Sequence, residues 1–354
     1  MTLILNNEEI QQVLSMDICI DAVEKAFKEL GTNNAFNTQR LQPRFPSSKP
    51  DTQFRPKIYG GFVPYFGMLA IRICPEFIRF PIIDGVRRQI KIAAAPGNKY
   101  LALIYLFSSE TGEMLGIFQE AYLQKLRVGA TSAIGAKYLS REDSSTLGLL
   151  GSGWQASAHI TAICKVRKIK KVKVFSPNRE HRNSFAHEMA NTLKIDTVAV
   201  DSPKEVVRGS DIIIAATSAN EPVFNGEWLG KGVHVGSISS HGVELDSETF
   251  RRSDIIVITS KQFVKEMKQV ELLELIEAGA IGWDNMHELG KLVNGEAPAR
   301  ENNQQITLFK NNCGLGIQFS AVGAKILEEA KKKGLGKEIP SEWFLQTRKG
   351  AATY

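Results

Sequence analysis

The sequence predicts an α/β protein in which a doubly wound parallel sheet is joined to a second, α+β domain. Three observations support this fold class. An apolar strand breaks at a glycine turn and continues as a helix within 146–162. Strands and helices then alternate from about residue 140 to about residue 310, as in a parallel sheet covered by helices. Strand-like pieces joined by turns precede that region, which is typical of an antiparallel sheet.

The first half supplies the elements of the α+β domain. A short strand and two helices occupy residues 3–30, the second helix carrying an apolar stripe at helical spacing. Strand-like pieces follow at 58–63, 68–73, 88–94, 101–107 and 114–118, the last two joined by a hairpin turn. Residues 121–139 form a helix rich in small residues, and 307–333 are predicted to form another that returns to this domain.

The glycine turn predicts a dinucleotide site. In such a strand–turn–helix unit, the first glycine permits the turn and the second lets a pyrophosphate approach the backbone. A small third residue keeps the helix close to the strand. The pyrophosphate is then held by free N–H groups at the positive end of the helix dipole. The turn thus predicts a Rossmann-type domain, with cofactor contacts from Gly151, Ser152, Gly153, Trp154, Gln155 and Ala156.

The residues after the second parallel strand favour NADP(H) over NAD(H). An NAD site normally carries Asp or Glu about 20 residues beyond the glycines. Here Ser176, Asn178 and Arg179 occupy that place, and all three can donate to a 2′-phosphate. NAD(H) stays the alternative. Thr217, Ser237 and Ile238, at the ends of two later strands, are further cofactor-binding candidates.

Composition is that of a globular protein with small-molecule ligands. The 354 residues are 43% hydrophobic and 23% charged, with a net charge of +6. The basic run 165–173 has no interleaved aromatics, so no nucleic-acid partner is expected. The four cysteines are far apart and predict neither disulfides nor a metal site. The sequence shows no signal peptide or membrane span, so we expect a cytoplasmic protein.

Three arginines are substrate-binding candidates. Arg44 follows Pro43, Arg72 lies inside an apolar strand, and Arg127 lies on the small-residue helix. A charged strand residue facing a core needs a partner, so Arg72 either pairs with an acid, lines an anionic site or faces outward at a sheet edge. Arginine suits carboxylates because its planar fork donates two parallel hydrogen bonds.

Several segments together resemble the ornithine cyclodeaminase/μ-crystallin family of NAD(P)-dependent enzymes, which includes ketimine reductases and archaeal alanine dehydrogenases. They are QPRFP, LAIRIC, LRVGATSAIGAKYL, GSGWQA, SDIIIAATSANEPVF, HELGKLVNGEAPAR and ITLFKNNCGLGIQF. The resemblance implies that Arg44, Arg72 and Arg127 hold the substrate α-carboxylate. It also implies a homodimer formed through the first domain. We therefore expect a substrate-binding and dimerisation domain at 1–122 with 312–354, and a dinucleotide-binding domain at 123–311.

Two departures from the family bear on the reaction. Family members usually carry lysine in place of Arg72, so a proton relay through this residue loses support. Cyclodeaminases also carry an aspartate after the fifth parallel strand, and one alignment register puts His241 at its place whereas the other puts Ile238 there. His241 is a candidate general acid because its ordinary pKa lies near neutrality. Glu244, Asp246 and His234 are weaker candidates.

The sequence therefore predicts an NAD(P)-dependent imine reductase or amino-acid dehydrogenase, with Arg72 and His241 as catalytic candidates. The predicted enzyme reduces an imine, or a keto acid plus an amine, to an amino acid. One alternative is a cyclodeaminase-type lyase with an internal NAD redox cycle. Another is a non-catalytic NADPH-binding or small-ligand-binding protein of the μ-crystallin type.

Overall fold

The computed structural model describes residues 1–83, 86–87, 89–239 and 242–347. The chain divides into two compact units. Unit 1 comprises Met1–Ser15, Asn34–Leu123 and Leu315–Tyr354, and unit 2 comprises Met16–Asn33 and Gln124–Gly314. This division differs from the predicted domain boundaries at 16–33, which lies in unit 2. The helix there packs against two other helices of unit 2, and Asn294 donates a hydrogen bond to the Lys28 carbonyl.

Strands and helices occur throughout these residues. The strands are β1 (Thr2–Leu5), β2 (Phe36–Asn37), β3 (Phe45–Pro46), β4 (Thr52–Val63), β5 (Met68–Arg79), β6 (Ile82–Ile83), β7 (Val86–Arg87), β8 (Ile90–Ile92), β9 (Leu103–Ser108), β10 (Met114–Gln119), β11 (Thr146–Leu150), β12 (Lys171–Phe175), β13 (Asp196–Ala199), β14 (Ile212–Ala215), β15 (His234–Ser237), β16 (Ile255–Ile258), β17 (Met286–Glu288), β18 (Thr307–Lys310) and β19 (Lys337–Ile339). The α-helices are α1 (Asn7–Val13), α2 (Met16–Gly31), α3 (Ala121–Leu139), α4 (Trp154–Val166), α5 (Arg179–Leu193), α6 (Pro203–Val207), α7 (Ser247–Arg251), α8 (Lys261–Met267), α9 (Val270–Glu277), α10 (Leu289–Val293) and α11 (Gly316–Lys333).

Unit 1 is built on a mainly antiparallel sheet, in the order β19-β1-β10-β9-β5-β4-β2. Strands β4 and β5 are its longest pair, with 12 residues each, and Tyr59 lies opposite Arg72 in their register. Helix α11 packs on β4 and β5. Residues of these strands alternate between fully and partly buried positions, as expected when a helix covers one sheet face. The predicted α+β domain with an antiparallel sheet is confirmed; position 88 of the predicted strand 88–94 lies outside the described residues.

Unit 2 contains a parallel sheet in the order β13-β12-β11-β14-β15-β18-β16-β17. Strand β11 lies between β12 and β14, so the strand order reverses there. Ligands of such sheets bind outside the carboxyl ends of the strands at the point of reversal. The α/β fold class predicted from the alternation is thus confirmed. Within the described residues, no helix is long and apolar enough to cross a membrane.

One predicted element is wrong in part. Residues 307–333 were expected to form a single helix, whereas 307–310 form β18 and the helix begins at Gly316. Strand β18 is completely buried and pairs with β15 and β16. A short apolar run does not distinguish a buried strand from a buried helical segment by periodicity. Its parallel pairing decides the structure here.

Candidate functional site

The glycine turn of unit 2 has the geometry that a dinucleotide site needs. Gly151 has φ +106°, and a Cβ atom there would lie 2.4 Å from the Ala216 carbonyl oxygen, so the position requires glycine. Gly153 caps α4 in an extended conformation, and a Cβ atom on it would have no neighbour within 4 Å. Ala156 is completely buried in the first turn of α4. The backbone at Gly153 is therefore open to a ligand, while the strand and helix pack closely.

The other two turn residues differ in exposure. Trp154 is the first residue of α4 and is half-exposed. The Nε2 of Gln155 donates a hydrogen bond to Gln124 Oε1 at 3.1 Å, which links the start of α4 to α3. The backbone N–H groups of the first turn of α4 lie at the N-terminal end of the helix, which is the end that favours anions.

A polar cluster joins the glycine turn to the end of β12. The Ser152 and Ser176 hydroxyl oxygens are 2.8 Å apart, and Ser152 Oγ lies 2.9 Å from His181 Nδ1. Asn178 caps α5 by accepting from the His181 backbone N–H at 2.8 Å, and Arg179 is exposed at the start of that helix. His181 was not among the predicted site residues, although a histidine two residues after Arg179 was a usable signal.

Thr217, Ser237 and Ile238 are brought together by a residue that sequence analysis ranked low. Thr217 is the second residue after β14, and Ser237 is the last residue of β15. Both bond the carboxylate of Glu244, which is completely buried. The Ile238 backbone N–H bonds the same carboxylate. These three predicted cofactor contacts therefore share one anchor.

Among the remaining histidine and acid candidates, those that the structure describes make contacts that stabilise the fold. His234 is completely buried, with Nδ1 3.0 Å from Thr307 Oγ1; burial, together with Arg300 and Arg167, lowers its pKa to about 3. Asp246 caps α7. His241 lies outside the described residues.

Unit 1 holds Arg72 in a buried polar cluster. Its Nη2 lies 2.8 and 2.9 Å from the two Glu120 carboxylate oxygens, and both side chains are about 95% buried. The guanidinium carbon lies 5.2 Å from the Tyr59 ring centroid and 5.7 Å from that of Phe319. Strand β5 pairs with both β4 and β9, so Arg72 does not lie at a sheet edge. The acid partner expected from the sequence is Glu120.

The hydrogen-bonding capacity of this cluster is only partly used. Nε and Nη1 of Arg72 are buried without a hydrogen-bond partner, and so is the Tyr59 hydroxyl. Buried donors of this kind carry a free-energy cost of about 1–3 kcal/mol each, more for charged groups. Burial disfavours the charge of Arg72, but Tyr59 and Glu120 favour it, and the net effect raises the pKa. Arg72 is therefore a permanent cation with open donors.

Arg44 is not beside Arg72. Its guanidinium lies over the Phe80 ring at 5.6 Å, just beyond the far end of β5. Phe80 lies eight positions along the chain from Arg72, which in an extended strand is about 25 Å. Instead, Arg40 lies over Tyr59, the residue opposite Arg72 on β4, at 4.7 Å from the ring centroid. Within unit 1 the structure thus separates Arg44 from Arg72 and brings Arg40 to the ring that Arg72 contacts.

Arg127 lies in unit 2 on α3 and is buried. Its guanidinium packs against Gly314, where an added Cβ atom would lie 2.5 Å from Nη1. Its predicted role at the substrate carboxylate stays a prediction. No group of three or more His, Cys, Asp or Glu side chains suited to a metal is found among the residues described.

A doubly wound sheet with a glycine turn at the reversal of its strand order is the architecture typical of dinucleotide-binding proteins. Within that class, the chain belongs to the ornithine cyclodeaminase/mu-crystallin family, which matches residues 91–334. The resemblance inferred from the sequence motifs is confirmed.

Relatives of known structure or name match nearly the whole chain. A Δ1-pyrroline-2-carboxylate reductase of Bacillus cereus is 28% identical over 342 residues, which are 95% of this chain and 99% of the relative. The Thermococcus litoralis Δ1-pyrroline-2-carboxylate reductase, solved with NADH and L-proline, is 30% identical with a TM-score of 0.82, covering 96% of this chain and 100% of that one. An archaeal alanine dehydrogenase dimer with bound NAD is 26% identical with a TM-score of 0.78, covering 96% and 99%.

Proposed function

We propose that the protein is an NAD(P)H-dependent reductase that converts an imine next to a carboxylate, or a keto acid plus an amine, into an amino acid. The observation that carries the proposal is Arg72, a buried cation whose Nε and Nη1 have no hydrogen-bond partner. Such donors suit an anionic substrate group. The activity named for the Bacillus cereus relative supports this class of reaction.

The unit 1 cluster has the chemistry to bind and orient a carboxylate. Glu120 bonds one edge of the Arg72 guanidinium and fixes its orientation, so the remaining donors point in fixed directions. The Tyr59 hydroxyl adds a third buried donor. The permanent charge of Arg72 favours carboxylate binding but excludes it as a proton relay.

Unit 2 fits the cofactor. The open backbone at Gly153 and the α4 N-terminus suit the pyrophosphate, and the reduced nicotinamide supplies a hydride to the imine carbon when bound. The imine carbon becomes the amine-bearing carbon, with the nitrogen already protonated as an iminium or protonated by an acid. His241 or water is the proposed source of that proton.

A substrate panel tests this proposal. Keto acids with ammonia or methylamine, and cyclic ketimines that carry a carboxylate, are offered with NADPH or NADH while absorbance is followed. Net oxidation of the cofactor with at least one carboxylated imine is expected. Release of ammonia from ornithine without net cofactor change would favour the cyclodeaminase-type lyase. Tight cofactor binding without any turnover would favour the non-catalytic binding protein.

We further propose that NADP(H) is preferred over NAD(H), which is the alternative. The end of β12 offers the Ser176 hydroxyl, next to Ser152 and His181, and an exposed Arg179, whereas no acid stands at position 176. Arg179→Ala should raise the KM for NADPH about tenfold and leave the KM for NADH unchanged. Lys168→Ala, which removes an exposed cation before the other end of β12, is the matched control. An NADH preference that Arg179→Ala does not alter would contradict the proposal.

The proposed assembly is a homodimer through the unit 1 sheet. The side chains of β5 and β9 that alternate with the α11-facing ones are apolar and only half-buried; they include Leu69, Ile71, Ile73, Leu103 and Tyr105. A solvated face of an antiparallel sheet normally alternates to polar residues, so this face suits a partner. The dimer of the archaeal alanine dehydrogenase supports the proposal.

Sedimentation of the purified protein tests the dimer. Wild-type protein should sediment as a dimer, and Ile71→Glu should shift it to monomer. Val270→Glu, at a half-exposed apolar position of unit 2, is the control that should leave the mass unchanged. A wild-type monomer would contradict the proposal.

A further inference from the structure

We propose that Glu244 is a positioning residue that holds the loops after β14 and β15 in the conformation that receives the cofactor. The inference rests on the proposed cofactor site at these loops. The Glu244 side chain is completely buried, although a carboxylate is costly to bury. Its bonding partners explain why it is tolerated there.

Each carboxylate oxygen of Glu244 serves one loop. Oε1 accepts from the Thr217 backbone N–H at 2.8 Å and from the Thr217 hydroxyl at 2.7 Å. Oε2 accepts from the Ser237 hydroxyl at 2.6 Å and from the backbone N–H groups of Ile238 and Ser239, both at 3.1 Å. Five donors from two loops therefore converge on one side chain.

This bonding pattern leaves Glu244 unsuited to proton transfer. An ionised carboxylate offers about four lone-pair sites, and five donors occupy them. A substrate proton would have to displace a hydrogen bond that also fixes a loop. Glu244 therefore acts through the backbone that it holds, and it is not a catalytic residue.

The backbone at Glu244 is itself held by a second buried acid, Glu271. The backbone N–H groups of Glu244 and Leu245 donate to Glu271 Oε1 at 2.8 and 2.9 Å. Glu271 forms an ion pair with Lys310, and Lys310 Nζ donates to the Ser237 hydroxyl at 2.8 Å. The Ser237 hydroxyl thus accepts a hydrogen bond from Lys310 and donates one to Glu244. Together these contacts form a closed, buried hydrogen-bond network at the ends of β15 and β18. A closed circuit of charged hydrogen bonds resists rearrangement.

The held loop lies directly against the glycine turn. A Cβ atom added to Gly151 would lie 2.4 Å from the Ala216 oxygen and 3.4 Å from Thr217 Cγ2. Release of Thr217 from Glu244 would therefore free the backbone on which the turn packs. Weaker cofactor binding is the expected consequence.

Two variants of Glu244 test the inference, with a buried carboxylate elsewhere in unit 2 as control. Glu244→Gln places an amide donor against groups that donate, and Glu244→Asp is too short to reach both loops. Glu24→Gln removes the charge that bonds Lys137 and Tyr138 and is the control for general loss of stability. Hydrogen exchange of the peptides containing 217 and 238–239 is measured in the protein without cofactor. The Kd for NADPH is measured by fluorescence.

Glu244→Gln should accelerate exchange in both peptides at least tenfold and raise the Kd about tenfold. Glu244→Asp should accelerate exchange in one of the two peptides, which keeps the test decisive if the glutamine variant does not fold. Glu24→Gln should change neither quantity. Wild-type exchange rates or a wild-type Kd in the Glu244 variants would overturn the inference. Failure of the wild-type protein to bind NADPH or NADH would instead contradict the proposed cofactor site, whatever the exchange rates.

Discussion

Glu244 in unit 2 and Arg72 in unit 1 are both buried ions, but they use their hydrogen-bonding capacity differently. Glu244 accepts five hydrogen bonds from its own unit. Arg72 bonds Glu120 through Nη2 and leaves Nε and Nη1 without partners. A buried ion that is saturated by the protein holds the protein in place, whereas one with open donors is available to a ligand.

Substitution of Arg72 should give the largest effect. Arg72→Met should lower kcat/KM for a carboxylated imine about 10²- to 10³-fold, or about 3–4 kcal/mol, because a charged hydrogen-bonding partner is removed from a buried site. The Kd for NADPH should stay within a factor of two, since Arg72 belongs to unit 1. Arg72→Lys keeps the charge but not the planar fork, and it should recover part of the activity. An Arg72→Met variant with wild-type kcat/KM would remove this residue from substrate binding.

Acid should destabilise unit 2 through its buried neutral histidines. Burial lowers the pKa of His159 to about 4 and that of His234 to about 3, both below the ordinary value of 6.5. At a pH between the folded-state pKa and 6.5, the unfolded chain binds more protons than the folded protein. The contribution of each histidine to stability is therefore complete above pH 6.5 and decreases as the pH falls. The loss at pH 5 is about 2 kcal/mol for each histidine.

Thermal unfolding from pH 7.5 to pH 5 measures this loss. His234→Asn should flatten the pH dependence by about 2 kcal/mol relative to wild type. The exposed His187 on α5 is the control position, and His187→Asn should leave the slope unchanged. Equal slopes in all three proteins would contradict the assignment of neutral buried imidazoles.

The two turn glycines should respond in opposite ways to alanine. Gly153→Ala adds a methyl group where nothing lies within 4 Å, so stability should be kept while the Kd for NADPH rises about 10- to 100-fold. Gly151→Ala meets the Ala216 oxygen at a positive φ and should lower the unfolding free energy by about 1–3 kcal/mol. Fluorescence titration and thermal unfolding measure the two quantities. An unchanged Kd in Gly153→Ala would place the pyrophosphate elsewhere.

The smallest effect separates two arginines of unit 1. Arg40→Gln should lower kcat/KM about tenfold because Arg40 packs on the Tyr59 ring that Arg72 also contacts. Arg44→Gln should change it less than twofold, since Arg44 packs on Phe80 at the far end of β5. Steady-state kinetics on the same substrate compares them. The reverse order would restore the role that the family resemblance implies for Arg44.

The sequence predicts the elements whose signals are local. Gly151 and Gly153 mark the turn by spacing alone, and the range 121–139 matches α3 residue for residue. A charged residue in an apolar strand singled out Arg72 because burial of charge is costly. Strand β18 was missed because its buried neighbours are distant in sequence.

The missed functional residues depend on tertiary contacts. Glu244 bonds Thr217, which is 27 positions away, and no local pattern reveals that pairing. The segment QPRFP singled out Arg44, whereas Arg40, four residues earlier, lies over the ring of Tyr59, which the pairing of β4 with β5 places opposite Arg72. Residue type and spacing thus identify candidate groups, whereas strand register decides which of them meet.

The proposed function requires that the open donors of Arg72 bind the carboxylate next to the reacting C=N carbon. Its most direct test compares Δ1-pyrroline-2-carboxylate with the same ring lacking the carboxylate, for wild type and Arg72→Met, by NADPH oxidation. Wild type should favour the carboxylated substrate at least 100-fold in kcat/KM, and the variant less than tenfold. Removing the substrate carboxylate and removing the Arg72 guanidinium eliminate the same interaction, so the second removal adds little to the first. Equal discrimination by both proteins would contradict the claim.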